Sequence, residues 1–405
     1  VRQGKPSSEV KEICASGHFN YRGKMFRNAP RKVVHPINST FAEFWLHTYP
    51  NRSLPDDYLY SQGEVVAEKR ALMKYCRDQP VFDQWCLGFA RHMLFITYLP
   101  IMAGSKIISQ EAAYQDMNHG SSAGSPWCDL PGTSDKSGVW KIPGIRAYFL
   151  AFFYLLGSGF NWVPIWKSSL KVEVRAALKV VVNAIRGFVA SPMEMTLAMN
   201  MLFSDAFSRL FRAGRDQRVP LKVGMTKFYR GWDALARKRS SDSTARCIDY
   251  TAMDSSVCEE YQEIVLDLLF ECIRESDFSE VESLDMEELD GRLTPEQYLW
   301  CQNFSVEVEK RGLSVHIRLM LREVLEHCCH SVIVTTGGDL IEKSTGNNSG
   351  SVLTTVLNTL VTYLNSTYAF AKAFQQWRSL EKISFVELGL MYESHVFDWM
   401  YGDDH

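Results

Sequence analysis

The stretch HVFDWMYGDDH, residues 395 to 405, constrains the fold more than any other. Val396, Phe397, Trp399 and Met400 read as a buried strand, and Gly402 is the residue a tight turn asks for. Asp403 and Asp404 are therefore expected side by side on a turn at a strand tip. Like charges so placed repel unless a cation lies between them, and hard divalent ions take carboxylate oxygens of this kind. The stretch alone leaves two readings open, a metal site and a solvated Asp-Asp turn.

The rest of the chain can bury a large core. With 405 residues, 46% of them hydrophobic and 12% aromatic, two or three lobes are expected. A formal net charge of -3 argues against a uniformly basic nucleic-acid binder but is compatible with a local basic channel. The ten cysteines contain no CxxC pair, which points to reduced thiols in a cytosolic compartment rather than a zinc ribbon or a disulfide framework. His327-Cys328-Cys329-His330 is too contiguous for one tetrahedral metal site and reads as a buried helix end. The most apolar run, AYFLAFFYLLG from Ala147, is too short to span a bilayer and reads as a core helix.

Along the chain, YRGKMFRNAPRKVVHP near the start reads as an irregular basic arm, either touching RNA phosphates or simply solvated. Gly, Ser and Pro accumulate from Gln110 to Gly144, marking a long loop. Ser191 to Arg212 has helical spacing, with a Met and Phe stripe expected in the core. Glu271 to Gln297 is strongly acidic and is expected to be a solvated helix and loop with no chemistry of its own.

Three further strings carry chemistry. In CIDYTAMDSSV, residues 247 to 257, a strand is expected to hold Asp249 at its end, with Asp254 five positions later beyond the turn. In STGNNSGSVLTTVLNTLVTYL, from Ser344, a glycine-rich loop runs into a helix. Ser349, Thr354 and Asn358 are spaced along one inward side of that helix, and Thr354 and Asn358 are helical neighbours. In SSLKVEVRAALKVVVNAIRGFVASP, from Ser168, the residues Lys171, Arg175, Lys179 and Arg186 recur among aliphatic residues and read as a basic hairpin suited to polyphosphate. Each alone has a bland alternative: a helix cap, backbone-satisfied polar residues, or a solvated charged face.

Taken in order, the strings resemble the RNA-dependent RNA polymerases of positive-strand RNA viruses in the picornavirus-like supergroup. KVEVRAALKVVVNAIR resembles the fingers motif that holds the incoming triphosphate. DYTAMD resembles the first palm motif, SGSVLTTVLNT the second, and YGDD the catalytic turn. SSAGSPW, with Ser121, Ser122, Gly124 and Pro126, is similar to the loop that guides the template. VGMTKFYRGWDAL and TGNNSG look most like the potyvirus and astrovirus side of the group.

The resemblance implies a mixed α/β (α+β) right-hand polymerase with helical fingers and an antiparallel palm sheet, the thumb being absent from this chain. Residues 1–245 would be fingers with an amino-terminal extension, 246–270 palm, 271–335 a return of the fingers with the acidic insertion, and 336–405 palm. Asp249 and Asp403, supported by Asp404, would hold two Mg2+ ions, with Mn2+ as a substitute, for an in-line nucleotidyl transfer. Asp254 and Asn358, helped by Ser349 or Thr354, would recognise the ribose 2′-hydroxyl, and Gly350 would also belong to the substrate-binding set. Lys171, Arg175, Lys179 and Arg186 would grip the triphosphate. Glu173 is expected to fix the fingers by pairing with a basic neighbour.

The implied partners are an RNA template and primer, ribonucleoside triphosphates and other viral replication proteins. The implied setting is the host cytoplasm, in membrane-associated replication complexes recruited by other proteins, with no direct membrane anchor. Three departures stand out, the first being the acidic Glu271 to Gln297 segment, which makes the interval between the first and second palm motifs longer than a compact member would have and reads as a surface insertion. Relatives often carry a lysine where this chain has Ala184, so the triphosphate's charge would have to be met from elsewhere. Family members also continue past the Asp-Asp turn with a partner strand, a lysine-bearing element and a thumb, so the chain is expected to be a fragment. A catalytically incompetent fragment that only binds RNA or nucleotide is the alternative to a polymerase.

Overall fold

The computed structural model describes residues 4–25, 47, 48, 50, 58–60, 65–133, 135–160, 162–171, 173–182, 184–223, 225, 233, 237, 244, 247, 248, 250–377 and 383–400. Asp249, Asp403 and Asp404 lie outside them, as do most of the VGMTKFYRGWDAL string and the greater part of the basic arm.

In chain order the elements are α1 (Ser8–Cys14), β1 (Phe19–Lys24), β2 (Tyr58–Tyr60), α2 (Val65–Leu72), α3 (Gln84–Met102), α4 (Gln110–Gln115), α5 (Lys136–Trp140), α6 (Ile145–Leu155), β3 (Ile165–Leu170), β4 (Val174–Ala176), α7 (Ala177–Val181) and β5 (Gly187–Ala190). They continue as α8 (Met193–Arg215), α9 (Met253–Ser256), α10 (Glu259–Ile273), α11 (Pro295–Gln302), α12 (Phe304–Arg311), α13 (Leu313–Cys329), β6 (Val332–Val334), β7 (Asp339–Lys343), α14 (Thr354–Trp377) and α15 (Phe385–His395).

Helices α3 and α14 form the central pair of the core. Asp83 starts α3 by accepting the backbone N–H groups of Trp85 and Cys86, both at 3.1 Å, the usual way of satisfying a helix's first donors. The same carboxylate accepts Lys372 Nζ of α14 at 3.0 Å, and these bonds hold it well below the usual carboxylate range. One turn group thus starts one helix and clamps the other. Further along, Tyr98 and Tyr363 meet edge to face at 5.3 Å, and Thr97 shares a hydrogen bond with the Tyr363 hydroxyl. Helices α6, α8, α10 and α13 pack into the same core. The apolar run at Ala147 is part of α6 and is buried as expected, while the Met and Phe stripe of α8 faces inward.

A five-stranded mixed sheet, ordered β1-β7-β6-β3-β5, flanks the helices. β3 is antiparallel to β5, with Lys167 opposite Ala190, and parallel to β6, with Ile165 opposite Val332. β3 and β5 come from the stretch expected as arms of a basic hairpin, β1 and β6 from stretches expected as helical fingers, and β7 from a stretch expected to be palm. The cause lies in short β-branched runs such as Val332-Ile333-Val334, which are too brief for a helix and fully apolar on the inner side.

Four local expectations change. The Gln110 to Gly144 stretch is not one loop but is broken by α4, by a single 3-10 turn at Trp127–Asp129 and by α5. The basic segment is not a simple hairpin. β3 and β5 pair with each other, and the chain between them leaves to form β4, which pairs with β2, and the short helix α7. Val396 to Met400 is extended, yet it joins its neighbours by one bridge, Met400 to Leu221, and Phe397 is 58% exposed rather than buried. Cys247 and Ile248 form no strand and are exposed.

The acidic Glu271 to Gln297 stretch is also stitched to the body rather than merely solvated. Glu282 accepts the backbone N–H groups of Gln110 and Glu111 at 2.7 and 3.0 Å, Lys106 pairs with Glu280, and Leu289 is fully buried against α6. Its charges serve as caps for a helix start, where a carboxylate is favoured.

Candidate nucleotide-binding cleft

A cleft of about 500 Å3 opens between α2, the β3–β5 excursion and the turn before α9. Lys171, Arg175, Lys179 and Arg186 all line it, as do Asp254 and Ser349. Residues up to 178 positions apart in the chain, Lys171 and Ser349, are therefore gathered on one cleft. Arg175 is braced by Glu173 at 3.5 Å and donates to the Ala184 carbonyl, so the expected fingers pair is present.

Lys74 and Tyr75 line the same cleft and were not foreseen. The Lys74 ammonium is held below the usual lysine range, first by burial and then by Arg175, Arg186, Arg70 and Arg77. So much positive charge in one place favours a polyanion. The signal was available in the basic run KRALMKYCR, residues 69 to 77. Ala184 shares this wall, so Lys74 offers a cation to the cleft that a lysine at position 184 would otherwise supply.

Asp254 stands at the start of α9, two residues after Ala252. Ala252 takes φ +56° and ψ +46°, a left-handed backbone that a residue with a Cβ seldom adopts. Asn358 donates its amide to Asp254 Oδ1 at 2.6 Å and accepts from Asn347 Nδ2 at 3.4 Å. Asn347 in turn gives its backbone N–H to the Asp254 carbonyl at 2.7 Å, and its own carbonyl accepts the Tyr75 hydroxyl at 3.1 Å. Asn347 is fully buried and Asn358 is 5% exposed, so the acidic group facing the cleft is fixed from behind by amides that water does not reach.

Ser349 and Gly350 hold this loop against the edge of β5. Val189 N–H donates to Ser349 Oγ at 3.4 Å, and Gly350 bridges Ala190. A Cβ at Gly350 would lie 2.6 Å from the Val189 carbonyl, so only glycine lets the two backbones come this close. Thr354, expected to help at the ribose, turns its hydroxyl back to the carbonyls of Asn348 and Ser351 at 2.7 and 2.9 Å. It secures the loop and does not line the cleft.

The SSAGSPW loop does not line the cleft. Ser121 and Ser122 are accessible, Pro126 is half-buried, and Gly124 is buried with φ +73° where a Cβ would meet the Ser191 carbonyl at 2.5 Å. Gly124 therefore serves the close packing of this loop on the start of α8. Trp127 anchors the loop's end by donating Nε1–H to the buried Glu194.

The His327-Cys328-Cys329-His330 string is the buried end of α13, as expected. Among the described residues no group of three His, Cys, Asp or Glu side chains could hold a metal ion. No helix among them is long and apolar enough to cross a membrane.

Across residues 67–405 the chain matches the model of the viral RNA-dependent RNA polymerases, and it belongs to that family. It is 28% identical over 387 residues to the genome polyprotein of Sweet potato mild mottle virus (isolate Salazar), covering 92% of this chain and 10% of that polyprotein. It is 29% identical over 210 residues to the genome polyprotein of Papaya ringspot virus (strain W), covering 52% of this chain and 25% of that polyprotein. The fold is that of a right-hand polymerase: the Sicinivirus 3Dpol RNA dependent RNA polymerase superposes with a TM-score of 0.59 at 16% identity. That match covers 87% of this chain and 65% of the other. The chain thus spans a quarter or less of the two polyproteins and about two thirds of the solved polymerase.

Proposed function

We propose that the chain is the catalytic part of a template-directed RNA polymerase that copies a viral RNA genome from ribonucleoside triphosphates. The observation that carries this reading is the Asn358–Asp254 hydrogen bond beside a cleft walled by Lys74, Lys171, Arg175, Lys179 and Arg186. A sugar hydroxyl and a triphosphate are the two features of a ribonucleotide that such a site recognises together.

In this reading the cationic wall binds the triphosphate and offsets the charge that develops on it during transfer. Asp254, oriented by Asn358, accepts a hydrogen bond from the ribose 2′-hydroxyl. Ser349 lies close enough along the same wall to touch the sugar or base. Asp249, Asp403 and Asp404, which lie outside the described residues, would supply an all-carboxylate donor set, which suits Mg2+ and would also take Mn2+. Two such ions would supply activation of the primer 3′-hydroxyl and neutralisation of the leaving pyrophosphate. RNA enters past Ser121, Ser122 and Pro126, and other viral proteins bring the complex to membranes in the host cytoplasm.

Asn358→Ala tests the sugar contact. A buried polar partner left unpaired costs about 1 to 3 kcal/mol, so the variant is expected to lose at least ~5-fold of its preference for a ribonucleotide over its 2′-deoxy form. Competition between CTP and dCTP in single-nucleotide extension measures it. An unchanged ratio would remove Asp254 and Asn358 from ribose recognition.

A further inference from the structure

Lys343 ends β7 with its side chain fully buried. Its partners are carbonyls rather than carboxylates. Nζ shares its three N–H groups among four carbonyls, those of Cys328 and Cys329 at 2.8 Å each, of Thr345 at 3.1 Å and of Gly346, and it lies 5.2 Å from the Tyr75 ring centre. The first two carbonyls belong to the last turn of α13, where unsatisfied acceptors and the negative end of the helix favour a cation. The other two belong to the loop that leads into Asn347, Asn348 and Ser349.

An apolar side chain would fill this space without the cost of burying an ammonium, so the cation's value lies in what it ties together. It joins a rigid helix end to a loop rich in glycine and short polar residues. Immediately beyond the tethered Gly346, Asn347 makes the bonds to the Asp254 carbonyl, to Asn358 and to Tyr75. A shift of this loop moves Asn347, and with it the relation of Asn358 to the Asp254 carboxylate. Gln79 adds one lateral tie, to Thr345 Oγ1 at 2.6 Å, but none from beneath.

We propose that Lys343 is a positioning residue for sugar selection, holding the Thr345–Gly350 loop from beneath so that Asp254 and Asn358 stand where a ribose 2′-hydroxyl can be read. The inference rests on the reading of Asp254 and Asn358 as the ribose contact. It assigns Lys343 no contact with nucleotide, because the side chain is sealed from the cleft.

The test is equilibrium binding of ATP and 2′-deoxyATP to the chain loaded with a primer–template RNA, for the wild type, Lys343→Met and Lys343→Gln. A ratio of two affinities on one preparation does not depend on how much of the protein is folded, so lost stability alone leaves it unchanged. Lys343→Gln covers the case in which the methionine variant does not fold, since its neutral amide offers the carbonyls two N–H groups where the charged ammonium offers three. The wild type is expected to prefer ATP, and the variants to lose about fivefold or more of that preference, chiefly by weaker ATP binding. A wild-type preference retained in full by the folded variants overturns the role of Lys343 alone. No preference in the wild type overturns the ribose reading, and this inference with it.

Discussion

Asp403→Ala abolishes primer extension, by at least ~10³-fold, while RNA affinity stays within about twofold of wild type. The size follows from the chemistry. Transfer of a nucleotidyl group develops negative charge at both the attacking and the leaving oxygen, and several kcal/mol of stabilisation comes from the cations that the carboxylates would hold. RNA affinity, by contrast, comes from phosphate contacts along basic surfaces, which Asp403 does not supply. Rapid-quench extension and a filter-binding titration on the same preparations measure the two quantities. If wild type and variant extend equally, or neither extends, the chain is a nucleotide- or RNA-binding fragment and not the catalytic unit.

Glu194→Gln flattens the pH dependence of folding stability between pH 5 and 8 and makes the protein more stable at the upper end. Glu194 is 4% exposed on the first turn of α8 and accepts the Trp127 indole N–H. Burial pushes its carboxyl up to about 7 from the ordinary 4.5. In that window the folded chain holds a proton that the unfolded chain has released, so stability falls as pH rises from 4.5 through about 7. The full loss is roughly 3 kcal/mol. Glutamine keeps an oxygen for Trp127 and never charges, so urea unfolding at pH 5.5 and pH 8 should differ less in the variant than in the wild type. An equal slope in both proteins would mean that Glu194 is not buried against Trp127 in solution.

Local spacing revealed the parts of the site whose chemistry is contiguous. Lys171, Arg175, Lys179 and Arg186 occur within one segment, and Asn358 with Ser349 within another, so pattern alone set them out. Their meeting with Asp254 followed from the resemblance, and the structure brings the basic residues, Ser349 and Asp254 to one cleft with Asn358 behind. Lys74 was missed because nothing near it in sequence marks it as different from Lys69 or Arg70. Its significance comes only from β5 and the turn before α9 folding over it.

Thr354 shows the reverse error. Helical spacing put it beside Asn358, but spacing carries no information on where a hydroxyl points, and the carbonyls of Asn348 and Ser351 claim it. Apart from β3 and β5, which fall in the stretch expected as a hairpin, the sheet was hidden for a related reason. Strands of three to six residues whose partners lie far away in the chain leave little periodic signal, and β1 finds β7 across more than three hundred residues. The first hundred residues offered few motifs, yet they supply α3, the partner of α14, and the edge strand of the sheet.

The measurement that tests the account most directly is single-nucleotide incorporation on four RNA templates that differ only at the first base to be copied. Each is offered all four ribonucleoside triphosphates with Mg2+. The account predicts that the nucleotide added is the complement of the template base in every case and that a chelator stops the addition. Addition that ignores the template base, or no addition on any of the four, would contradict it.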